Sequence, residues 1–375
     1  MKNRLIRDSN YELLRIISML FIVTWHVIIH GKLIEQTTGA INFVMNAIIL
    51  LVIVHVSLFM LITGYYQSQS KLKLKKIINL ILEIWFYNFI INTVLYITGL
   101  IEYSNIEYLC KISFFDFTSY WYIQCYLIIY LLSPFINRYI NSCSRVELKK
   151  VILVLLCCFS FIPFITGNLS YKTTGFTVSQ YLVLYLVGAY IRKYDLNNTF
   201  ISKFNKNQKR LIYIVIFIMS WVINLMMYYF STTLISFDSN ILNYFGNTLL
   251  SFKYFYSNPF VIIQAISIFM FFGTLNFKNK FINNIGTLML GVYLIHEADG
   301  LKYNMYSWLG IDKGKMIYSN YIFVKMIESI ILIFVCCILI EFVRKLIFNL
   351  LFKLKFIKKI ESKLVDVIKN ITEIK

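Results

Sequence analysis

The residues of this chain that can do chemistry gather first in residues 10–30, NYELLRIISMLFIVTWHVIIH, where an arginine and a histidine interrupt an apolar run. His26 follows Arg15 by eleven residues. On a helix that spacing amounts to three turns plus about 20° and a rise of roughly 16 Å, so the two side chains share a face. Arg15 then stands near one water boundary, and His26 lies about halfway through a hydrocarbon layer of about 30 Å. Ionisable groups at such depth cost several kcal/mol and as a rule face a polar cavity, which makes the pair a candidate site for proton transfer by the imidazole. A plainer reading fits the spacing equally well: Arg15 as a snorkelling anchor and His26 as an interhelical hydrogen bonder.

Other polar residues qualify this picture. Glu12, three before Arg15, can orient the guanidinium, but at about 21 Å along the helix it is too far from His26 to polarise the ring. An acidic partner for the histidine has to come from another span. His26 and His30 share a helix face as a metal pair would, yet no carboxylate or cysteine stands at a matching interval, so no metal is expected. His55 falls mid-span, where bonding a neighbouring carbonyl is the favoured reading over lining a cavity with His26. His296, next to Glu297, is expected at an exposed interface. In KLKLKKI, Lys71, Lys73, Lys75 and Lys76 can hold phosphates or simply mark a cytoplasmic loop. Glu83, Asn88, Asn92 and Gln264 read as interhelical glue, Gly64 as a tight turn, and Lys325 and Glu328 as a self-neutralising pair.

The elements that must position these groups are membrane helices. With 59% hydrophobic residues, three prolines and charge confined to short clusters, the chain cannot form a soluble globule. Ten apolar segments are expected, at residues 12–30, 41–66, 77–100, 121–137, 151–166, 173–191, 211–230, 259–276, 281–298 and 317–343, giving an all-α polytopic protein. The sixth and ninth are the weakest. Nineteen Lys/Arg fall in the N-terminal segment and in alternate loops, against seven in the other loops, so both termini are expected in the cytoplasm. The net charge of +19 is thus a matter of membrane side, and nucleic acid is not an expected partner. The first segment lacks a small-residue cleavage site and is not read as a signal peptide. A membrane domain over 1–348 is followed by a basic tail, 349–375, expected as an amphipathic helix on anionic lipid. The seven cysteines show no regular spacing and suggest neither disulfides nor zinc.

Four motifs carry a resemblance. They are N-x-E-L-L-R with a histidine eleven residues on (Asn10, Glu12, Arg15, His26), F-x-x-x-T-G-Y at Phe59–Tyr65, the stretch WYIQCYLIIYLLSPFIN opening on Trp121 and Tyr122, and GVYLIHE ending at His296 and Glu297. Over nearly its whole length the chain resembles acyltransferase family 3, ten-helix membrane enzymes that modify bacterial surface carbohydrates. Thr63 stands where many members have serine, and Lys73 and Lys76 stand where many have an arginine pair three apart.

The resemblance implies transfer of an acyl group, usually acetyl, from cytoplasmic acyl-CoA to a hydroxyl of a surface or lipid-linked polysaccharide, in a bacterial plasma membrane. His26 and Arg15 would be the catalytic residues and Lys71, Lys73, Lys75 and Lys76 the donor-binding ones. Asn10, Glu12, Trp121, Tyr122, His296 and Glu297 would be supporting residues. The residues themselves agree, since attack by a hydroxyl needs a base and a CoA donor brings phosphates to the cationic mouth. Whether His26 acts as a base or accepts the acyl group itself stays open. A transporter or flippase for a lipid-linked saccharide is the rival class; it ranks second because the hydropathy shows neither an inverted repeat nor paired broken helices.

Overall fold

Apolar runs of this length can satisfy their backbone groups in lipid only by closing them within helices or barrels. In the computed structural model, which describes residues 8–113, 120–166, 175–196, 203–311 and 321–351, the regular structure is helical throughout. Lys2, Arg4, Arg7 and residues 352–375 of the expected tail lie outside the described residues. The helices are α1 (Ser9–His30), α2 (Gly39–Val52), α3 (His55–Gln67), α4 (Leu74–Ile97), α5 (Asn105–Lys111), α6 (Trp121–Ser142) and α7 (Arg145–Leu156). They continue with α8 (Ile162–Ile165), α9 (Val178–Lys193), α10 (Lys206–Ile235), α11 (Asn240–Ser251), α12 (Pro259–Gly273), α13 (Lys280–Gly286), α14 (Met289–His296), α15 (Leu301–Trp308) and α16 (Tyr321–Leu351).

Among the described residues, seven stretches are long and apolar enough to cross a membrane: Ser9–His30, Gly39–Gln67, Leu74–Ile97, Arg145–Ile165, Lys206–Ile235, Asn240–Gly273 and Tyr321–Leu350. The chain is a polytopic membrane protein. The other three expected spans are also helical, as α6 with Pro134 inside it, the 16-residue α9, and the pair α13–α14. At the centre stands α1, which packs on α2, α3, α12, α13, α14, α15 and α16. Leu14, Val23, Val27 and Ile28 are fully buried there.

The second and ninth expected spans are each broken by a tight turn, contrary to the expectation of unbroken helices. Between α2 and α3 the turn at Ile53 and Val54 tightens the helix, with ψ of −21° and −12°. Gln264 of α12 donates to the carbonyls of Leu50 and Leu51 beside this break, at 3.4 and 3.2 Å. Between α13 and α14 the backbone makes three-residue turns, Thr287 N–H to Asn284 at 3.2 Å and Leu288 N–H to Ile285 at 2.8 Å. The apolar stripe runs on through both breaks, which is why hydropathy does not mark them.

The last helix also differs from expectation. Residues 344–351 continue α16 beyond the expected span end, and Arg344 is buried. Its guanidinium lies 2.7 Å from Glu341 and 3.0 Å from Glu83, a cluster that also holds the Tyr87 hydroxyl, 2.6 Å from Glu341. Lys325 and Glu328 do pair, at 3.0 Å. All seven cysteines are free.

Gly64 does not make a turn. It lies inside α3, where α3 and α9 press together through Gly64 and Gly188. A Cβ at Gly64 would come within 2.1 Å of the Tyr185 carbonyl, and one at Gly188 within 2.3 Å of the Leu61 carbonyl. Backbones approach this closely in membranes only across small residues. Gly188→Ala is therefore expected to destabilise the fold by about 2–3 kcal/mol through overpacking, lowering the thermal unfolding midpoint in detergent. Val154→Ala, on a lipid-facing surface, should leave that midpoint in place.

Candidate active site

The break after Gly286 turns the GVYLIHE segment inward, so that α14 ends against His26 and His30 in the last turns of α1. His296, fully buried, brings its Nε2 to 3.0 Å from His26 Nδ1. Glu297 brings Oε1 to 3.1 Å from the same nitrogen and to 3.2 Å from His30 Nε2. The exposed interface expected for His296 and Glu297 is thus replaced by burial, because the interrupted helix stops within the protein. The acidic partner that α1 cannot supply to its own histidine is Glu297.

This network fixes where the protons sit. The Val292 carbonyl, 2.5 Å from His296 Nδ1, can only accept, so Nδ1 carries the hydrogen and the neutral ring's Nε2 is an acceptor. His26 must then donate from Nδ1, shared between His296 Nε2 and Glu297 Oε1. Its Nε2 keeps the lone pair. An imidazole oriented by a carboxylate behind it and basic on its other edge is the arrangement that general-base chemistry uses.

His26 and Glu297 line a cavity of about 1730 Å³ that also reaches Arg15, Lys76, Trp121 and Tyr122. Arg15 is chelated by Glu12, with Nη1 at 2.8 and 2.7 Å from the two carboxylate oxygens. The Glu12 carboxylate rests on Gly286, where a Cβ would come within 2.3 Å of it. Asn10 is buried and donates to the Phe272 carbonyl at 2.9 Å, tying α1 to α12. All four lysines, Lys71, Lys73, Lys75 and Lys76, are exposed, and of them only Lys76 is on the cavity wall. The backbone N–H of Lys73 donates to the Tyr130 hydroxyl at 3.1 Å.

His55 lines the same cavity, and both of its ring nitrogens lack a hydrogen-bond partner, which overturns the favoured reading of a bond to a carbonyl. It packs edge-on to Trp25 and Tyr256. Two cavity residues were invisible to sequence spacing. Lys345 follows the end of the expected last span at residue 343, and Glu83 reads in the sequence as interhelical glue; both line the cavity.

One atom each from His26, His296 and Glu297 lie within 4.8 Å of one another, a donor set that suits a divalent ion such as zinc. The expectation of no metal rested on intervals along one helix, and here the carboxylate arrives from another. The same atoms make the hydrogen bonds just described.

The profile of the acyltransferase 3 family, described as an acyltransferase domain, matches residues 8–352. The chain belongs to the acyltransferase 3 family. No curated protein and no solved structure matches it. Family membership makes it a membrane acyltransferase and implies an acyl donor and an acceptor.

The proton arrangement is directly measurable, because the chain has four histidines. With 15N-labelled histidine, NMR at neutral pH is expected to show His26 and His296 protonated at Nδ1 and bare at Nε2. A His26 ring protonated at Nε2 would contradict the network.

Proposed function

We propose that this acyltransferase moves an acyl group, acetyl by preference, from acyl-CoA to a hydroxyl of a surface or lipid-linked polysaccharide, with His26 as general base. The observation that carries this is the His26 ring, backed by Glu297 and His296, on the wall of one cavity that also reaches Arg15 and Lys76. A base deep in the protein, with Arg15 and Lys76 on the same cavity wall, suits a donor whose phosphates stay near water while its thioester reaches inward.

In this scheme His26 Nε2 takes the hydroxyl proton as the acceptor oxygen attacks the thioester carbonyl. Glu297 stabilises the imidazolium through Nδ1–H, as the carboxylate of a catalytic triad does. Collapse of the tetrahedral intermediate breaks the carbon–sulfur bond, and the imidazolium returns the proton to the leaving thiolate. Arg15, held rigid by Glu12, steadies the donor between phosphates and thioester. Trp121 and Tyr122 form part of the acceptor wall. The Arg15 end faces the cytoplasm, in keeping with the basic loops, and the membrane is the bacterial plasma membrane.

His26→Ala is expected to lower glycan acylation by about 10²–10⁴-fold while the protein stays in the membrane, read as loss of base-labile esters from otherwise intact polymer. Esters at wild-type level would remove His26 from the chemistry. Loss of the polymer itself would point to export. Arg15→Ala should raise the acyl-CoA concentration needed for half-maximal rate by about tenfold, the cost of one charge-assisted contact; unchanged donor dependence would reduce Arg15 to an anchor. Mixing enzyme with donor alone distinguishes direct transfer, which leaves the protein unmodified, from an acyl-enzyme route.

A further inference from the structure

Besides Arg15 and Lys76, the cavity wall carries Lys302, within electrostatic reach of His26, and Lys345 on the last helix. Ile338, Phe342, Lys345 and Asn349 recur at helical spacing on α16, and all four line the cavity. Lys345 therefore belongs to the inward stripe of its helix, half-buried, and its position owes nothing to the charge bias of loops.

Its ammonium group donates to Thr287, 2.6 Å to the hydroxyl and 3.0 Å to the carbonyl. Thr287 lies in the break between α13 and α14, so its carbonyl is among those a helix end leaves for outside partners. The acids nearby are drawn to arginines. Glu12 chelates Arg15, and Glu83 and Glu341 close on Arg344. Glu83 also lies within electrostatic reach of Lys345. The two hydrogen bonds from Lys345 to Thr287 go to neutral oxygens, which a phosphate outcompetes because charge-assisted bonds are about twice as strong. Lys76 approaches the same region from α4, over the Tyr130 ring at 5.6 Å.

The geometry points to Lys345 as a donor-binding residue that, with Lys76, takes the phosphates of acyl-CoA by exchanging Thr287 oxygens for phosphate oxygens. The inference rests on the acyl-transfer reading above and adds a residue on the last helix to it. Arg15, Lys76 and Lys345 then close on the donor from α1, α4 and α16, and the thioester arm passes between them toward His26.

The test compares two thioesters, acetyl-CoA and S-acetylpantetheine, which shares the arm but carries no phosphate. Ester formation is followed in membranes holding the full chain and its glycan acceptor. Lys345→Gln is expected to raise KM for acetyl-CoA about tenfold with kcat kept, and to leave KM for S-acetylpantetheine unchanged, as expected when one charged contact is lost. Lys345→Arg should recover most of the loss, and Thr287→Val, which keeps the lysine, should leave acetyl-CoA KM near wild type. An equal effect of Lys345→Gln on both thioesters, or the same defect in Thr287→Val, would show that Lys345 only staples the break, and would overturn the proposal. Unchanged KM for both would overturn it too. If wild-type protein uses neither thioester, the acyl-transfer reading fails first, and that outcome is distinct from the others.

Discussion

The arrangement depends on one contact: the hydrogen of His26 Nδ1 shared between Glu297 and His296, drawn together from the two ends of the chain. A carboxylate taken out of water costs several kcal/mol unless its lone pairs are filled. Here His26 and His30 both point at Oε1. The same contact holds α14 against α1 and settles which edge of His26 is basic. Packing, tautomer and chemistry are thus three consequences of one buried group.

The break between α13 and α14 makes that contact geometrically possible. An unbroken helix through residues 280–297 would be about 27 Å long and would carry His296 and Glu297 toward the far boundary, the interfacial placement expected from hydropathy. The turn at Thr287 and Leu288 re-aims α14, and Gly286 leaves room for the Glu12 carboxylate that steadies Arg15. Interrupted helices around a polar cavity are also a transporter's device. In this chain the cavity holds an oriented imidazole, and the family is one of acyltransferases.

Much of this is legible in the sequence where the information is local. The helical class, Arg15 and His26 on one face, and Glu12 beside Arg15 all follow from periodicity within a single helix. What depends on meetings between distant segments does not. Glu297 can be named as part of a motif, yet nothing in its spacing says that it reaches His26 from another helix. Gly64 reads as a turn because a glycine that admits a neighbouring backbone looks the same in sequence as one that bends its own. Lys345 hides in a basic run whose first residues belong to a membrane helix, and His55 cannot be told from a satisfied core histidine until its missing partners are seen.

In the proposed mechanism the thioester reaches His26 from the Arg15 end of the cavity. A structure of the protein with a non-hydrolysable acetyl-CoA analogue tests it most directly. Phosphates are expected beside Arg15 and Lys76, with the carbonyl carbon roughly 4–6 Å from His26 Nε2, leaving room for one attacking hydroxyl. A donor bound outside this cavity, or a carbonyl more than about 10 Å from the ring, too far for proton transfer through a single hydroxyl, would contradict it.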